Sequence, residues 1–154
     1  MWTVTTLFLL RLMQEITRGV VTPGVAGVLN GAWLGLYQQG TNPITPQSTM
    51  ANIVEANYDG YSRQQIVWFP PWISAGGPEL IAAQDLWYSP TDALKPNLIT
   101  GVFIADAFYG GNLLMAAALA VPGVSLGSPS QALKVQPQFS LPFLQIYGSP
   151  AVVS

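Results

Sequence analysis

Hydrophobic positions along the chain form one stretch with helical spacing, then many short stretches with extended spacing. Between Trp2 and Arg18, Leu9, Leu12 and Ile16 share a stripe, with Leu10 and Met13 beside it. Arg11, Glu15 and Arg18 recur on another face. This spacing predicts an amphipathic helix that Gly19 stops. Its opening residues, Trp2 to Thr5, could instead be extended. The helix either caps a core or is an arm that docks on a neighbouring subunit through Leu9, Leu12 and Ile16.

After Arg18 the pattern breaks into short apolar runs divided by Gly and Pro. Strands are expected over 32–38, 62–69, 80–88, 99–108, 112–119 and 131–140. The run 113–120 is helix-prone in composition, but the tight turns at Gly110-Gly111 and Pro122-Gly123 favour a strand. Residues 40–48, with Pro43 and Pro46, read as a loop, and Ser48 or Thr49 can cap a short helix running to Glu55. Gly76-Gly77 points to a hairpin or a broad loop. Turns recurring about every ten residues predict an all-β fold, a β-sandwich or jelly roll of about eight strands. To it are added the N-terminal helix and one short internal helix. The expected organisation is a helical extension over 1–27, one β-domain over 28–146 and a tail over 147–154.

Composition narrows the function. The 154 residues suit one domain with its own core. Half are hydrophobic and only 8% are charged, against roughly 25% in an average soluble domain. Arg11, Arg18, Arg63, Lys95 and Lys134 are too scattered to hold a phosphate backbone, so direct nucleic-acid binding is not expected. Residues 19–37 are uncharged, but Pro23, Asn30 and five glycines disfavour a spanning helix. The chain has no cysteine and no histidine. That removes disulfides, cysteine and serine–histidine nucleophiles and the usual zinc sites. A surface built from Gln, Asn, Ser and Thr costs less to desolvate than a charged one. Such a surface suits a subunit covered by neighbours better than a freely diffusing monomer.

The carboxylates offer little chemistry. Glu55 and Asp59 are four apart, and Asp85 and Asp92 flank a strand end. Neither pair has the concentrated oxygen ligands of a calcium loop, and a glycosidase reading rests on sparse carboxylates. Glu55 is expected to bond a helix end or turn, and Asp106 to bond backbone at a strand end. Neither a cofactor nor a metal is expected. The aromatics are the better lead, because Tyr58, Tyr61, Trp68, Phe69, Trp72, Trp87 and Tyr88 lie close together in sequence. Trp68 and Trp87 are expected in the core. Trp72, on a loop after Pro70-Pro71, and Tyr58 and Tyr61 are candidates for interface contacts.

The order of segments resembles small structural proteins of tailed bacteriophages. The resemblance covers about residues 28–145. It is carried by Trp33-Leu34-Gly35-Leu36-Tyr37 before a Pro/Thr loop, by Ile53 to Tyr61 closing on an aromatic turn, and by Arg63 to Trp68. The strand Ile99 to Asp106 and the hairpin from Asn112 to Pro122 complete it. The resemblance implies a virion protein on a β-sandwich without fixing its place on the virion; the favoured reading is a non-enzymatic capsid or head decoration or cement subunit. Its partners would be copies of itself and other capsid proteins, and its location the virion. The alternative is a carbohydrate-binding β-sandwich that recognises a host surface.

Overall fold

The computed structural model describes residues 2–10, 29, 31–41, 43–68, 72–74, 77–120 and 123–140. The chain is all-β. Its strands are β1 (Trp2–Val4), β2 (Trp33–Gln38), β3 (Gln64–Gln65), β4 (Trp72–Ser74), β5 (Gly77–Ile81) and β6 (Leu86–Tyr88). They continue as β7 (Asn97–Ala105), β8 (Leu113–Ala118), β9 (Val124–Leu126), β10 (Leu133–Val135) and β11 (Gln138–Ser140). Among the described residues every strand pairing is antiparallel. The main sheet runs β1-β8-β7-β2-β3, with β9 beside the first residues of β7. Two smaller sheets are β10-β6 and β11-β5-β4.

The main sheet buries both faces. Along β7, Val102 and Ile104 point into one cluster and Phe103 and Ala105 into another. The alternation follows from the two-residue period of a strand. The first cluster takes Leu34 and Leu36 from β2 and is covered by Tyr58, Ile66, Leu86 and Tyr88. The second holds Tyr37 and Ala116 under Ile44, Met50 and Ile53. A bulge sets Ala105 opposite Leu113 but Ile104 opposite Met115, so Leu114 is the extra residue. Leu114 and Met115 therefore both reach the first cluster.

For the opening residues the extended alternative holds, and the expected helix begins only after Thr5. Trp2–Val4 pairs with β8, and only residues 6–10 are helical in the described part. Thr5 makes the junction. Its hydroxyl lies 2.9 Å from the carbonyls of both Leu113 and Leu114 and accepts from the Phe8 amide, so it ties the bulge to the helix start. Phe8, not Leu9, turns into the core, where it is 1% exposed. Trp2–Val4 thus belong to the sheet and Phe8 to the core. Leu12, Ile16 and the remainder of the expected extension lie outside the described residues, as does the expected tail over 147–154.

Other elements are shorter than expected. The internal helix is a single 3-10 turn, Met50–Asn52, capped by Thr49. Beyond it, β-branched Ile53 and Val54 favour extended backbone, and Glu55 bridges to Tyr37. The single strand expected over 80–88 is two, β5 and β6. Trp72 lies in β4, paired with Glu79, and not on a loop. Where a hairpin or a broad loop was expected, β4 and β5 pair as far as Ser74 and Gly77, and the strand reading of 113–118 holds.

Candidate functional site

Of the tyrosines expected at an interface, Tyr61 closes the outer edge of β2 and Tyr58 packs against its ring. A strand edge exposes backbone groups that must find partners. Here Ile66 N donates to Ala32 O, Ala56 N to Leu36 O, and Gln38 N to Val54 O. Side chains fill the gap between them. The Tyr88 hydroxyl donates to Leu34 O at 2.7 Å, and the Tyr61 hydroxyl accepts from Leu36 N at 3.0 Å. Tyr58 packs edge-on against Tyr61 at 5.4 Å and is buried in the chain's own core. A neighbouring subunit cannot reach it.

Tyr61 leads to a charged pair that sequence reasoning did not assemble: the Glu55 carboxylate, expected to bond a helix end or turn, bonds the side chains of Tyr61 and Arg63 instead. The Tyr61 hydroxyl donates to Glu55 Oε1 at 2.8 Å. Arg63 grips the same carboxylate with two parallel bonds, Nε to Oε1 at 2.8 Å and Nη2 to Oε2 at 2.7 Å. Its remaining amino group donates to Ala107 O and Gly110 O at 2.7 and 2.8 Å. The guanidinium also lies 5.1 Å from the centre of the Phe103 ring. Burial alone would lower the Arg63 pKa, but the hydrogen bond and charge of Glu55 outweigh it and raise it. Burial, reinforced by the Glu55 charge, raises the Tyr61 hydroxyl far above its ordinary range. Two charged residues eight apart were the available clue, but nothing in a linear sequence shows which carbonyls an arginine reaches.

These bonds hold a turn. Residues 106–112 join β7 to β8, and Gly110 and Gly111 both adopt positive φ, 58° and 74°. Asp106 closes the turn from its other side, accepting from the Asn112 amide at 2.6 Å and from its side chain at 2.9 Å. As expected, this carboxylate bonds backbone at a strand end. At the tip, Tyr109 is 81% exposed. Its ring lies 4.2 Å from that of Phe108, which in turn lies 4.8 Å from Trp33.

Elsewhere, Trp87 is 58% exposed, so its expected core role fails. In the triplet Leu86-Trp87-Tyr88 the outer two face inward, which turns Trp87 to solvent beneath Lys134. Trp68 does pack on the core, and its indole N–H donates to Leu29 O. Leu9 is 39% exposed. Asp59 pairs with Lys95 and Asp85 with Lys134, both at the surface. Asp92 accepts from the Leu94 amide. Among the described residues no three His, Cys, Asp or Glu side chains gather as a metal site would require. None of the described helical segments is long and apolar enough to cross a membrane. No protein-family model matches the chain, and no curated protein matches it in sequence.

Proposed function

We propose that the chain is a virion structural protein, a capsid or head decoration or cement subunit, which acts through contacts with copies of itself and with other coat proteins. The observation that carries this reading is the turn over 106–112. A buried arginine, bonded at each of its three nitrogens, is used to hold a solvent-exposed aromatic tip in one shape. Preorganised Tyr side chains are typical contact anchors. Every carboxylate whose side chain is described is bonded within the fold, which supports a role without a reaction. The resemblance to phage structural proteins supplies the setting.

Size-exclusion chromatography with light scattering tests the reading. At micromolar concentration the protein is expected to run as an assembly larger than one chain. With 8% charge, that assembly should be equally large in dilute buffer and at roughly 1 M salt, where the Debye length is about 3 Å. A monodisperse monomer would remove the basis of the proposal. The exposed Trp87 indole favours a second reading, a carbohydrate-binding module. Saturable quenching of tryptophan fluorescence by simple sugars, lost in Trp87→Ala, would select it.

A further inference from the structure

A groove of about 340 Å³ lies on the second face of the main sheet, beside Pro43 and Ile44. Strand register builds its floor. Tyr37 of β2 lies over its partner Gly101 of β7, with the tip of its ring in the space a Cβ would take. Ala118 of β8 pairs with Gly101 from the other side, and Ala116 stands between Phe103 of β7 and Thr3 of β1. The Tyr37 hydroxyl is thus carried across β7 toward the alanine methyls of β8. A bulge skips Thr100, which also lines the groove.

The fold itself makes no use of that hydroxyl. Tyr37 is 6% exposed, yet among the described residues nothing bonds its oxygen. Every fully enclosed side-chain nitrogen or oxygen of the described residues has a partner, so the unbonded hydroxyl opens into the groove. Burial raises its pKa, so it keeps its proton and donates. The Thr41 hydroxyl, also at the groove, accepts from Val54 N at 2.9 Å and has its hydrogen left to give. Among the described residues no charged side chain lines the groove. Glu55 bridges to Tyr37 along the backbone but turns its carboxylate to Tyr61 and Arg63.

A donor in a nearly closed, uncharged site calls for a neutral acceptor. An ionic ligand would lose its water with no counter-charge to replace it. Methyl groups beside the donor suit a carbonyl flanked by a methyl, which is an acetamido group. Its oxygen accepts from Tyr37 and its methyl rests on Ala116 and Ala118. The surrounding threonine hydroxyls suit the hydroxyls of a sugar ring, and the volume falls within the roughly 300–1,000 Å³ of small-molecule pockets. We propose that this groove binds a neutral N-acetylated amino sugar, held by its acetamido group at Tyr37. The site is independent of the assembly reading, and Trp87 is not part of it.

Equilibrium dialysis of the full chain with labelled N-acetylglucosamine tests the site, with glucose and acetamide as competitors. Saturable binding is expected, displaced far less well by either competitor than by the unlabelled amino sugar. Tyr37→Phe should weaken binding about tenfold, the worth of one hydrogen bond. It should leave the melting temperature unchanged, because the hydroxyl bonds nothing in the fold. Ala118→Ile, at an exposed position, should fill the groove and abolish binding. Trp87→Ala should change nothing. Absence of saturable binding overturns the proposal. So does displacement by glucose or acetamide as readily as by the amino sugar, since either would show that the two halves of the ligand are not read together. Binding lost in Trp87→Ala but kept in Tyr37→Phe would also overturn it, and would assign the sugar to the exposed indole instead.

Discussion

Arg63 carries a full positive charge into a site where its side chain is 3% exposed. Desolvating an ion is costly unless its bonds are replaced, and here Glu55 and two carbonyls replace them. Removing one partner of such a pair leaves the other uncompensated, at roughly 3–5 kcal/mol. Glu55 keeps 28% of its side-chain exposure and can regain some water. Arg63→Met is therefore expected to lower stability by about 3 kcal/mol, the low end of that range. Urea denaturation measures it, and an unchanged midpoint would show the pair to be dispensable. The sequence showed five scattered basic residues. It did not distinguish Arg63, a buried cation with a bidentate, half-buried partner, from Lys95 and Lys134, which make surface pairs of small worth.

At the scale of elements, β2 and β7 lock by a reciprocal exchange. Gly35 pairs with Phe103, and Tyr37 pairs with Gly101. Each aromatic ring lies over the glycine opposite, in the space a Cβ would need. Glycine within a strand often marks such a close approach. Phe103 is fully buried and has no room to move aside. Gly35→Ala should thus cost about 2 kcal/mol, within the usual range for overpacking, and Gly35→Ala combined with Phe103→Leu should recover part of it. Denaturation midpoints of the single and double variants decide. Equal loss in both would mean that backbone conformation, not the ring, sets the requirement.

Over the whole molecule, the tyrosine layer makes the fold sensitive to alkali. Burial pushes Tyr58 up to about 12. It also raises Tyr61 and Tyr88, helped by the charge of Glu55 at Tyr61 and by Tyr58 at Tyr88. In an unfolded chain these hydroxyls ionise near pH ~10. The folded form holds its protons longer, so this stabilisation is complete below about pH 10 and is lost as pH rises through the folded values. Each tyrosine removes up to about 1.4 kcal/mol per pH unit across that window. The β-sheet circular dichroism is expected to vanish cooperatively above about pH 10, together with the rise of phenolate absorbance. Phenolate formation with an intact sheet would show that the hydroxyls reach water without unfolding.

The sequence by itself determined the class of fold. Alternation in 33–38 and 99–105, the glycine pair at 110–111 and the frequent prolines are local features, and local sterics turn them into strands and turns. It also determined that any function must work without histidine or cysteine. Tertiary structure decided the rest, because the deciding partners are distant in the chain. Trp2–Val4 became a strand because β8, more than a hundred residues away, offers an edge and a bulge for Thr5 to close. In Leu86-Trp87-Tyr88, three apolar residues in a row leave the facing ambiguous. The Tyr88 hydroxyl reaching Leu34 O marks the inward side and leaves Trp87 outside. Tyr58 and Tyr61 looked like surface contacts because aromatic rings near a turn fit either place. The open edge of β2 engaged the Tyr61 hydroxyl, since a backbone group without a partner is costly, and Tyr58 packed against that ring in the core.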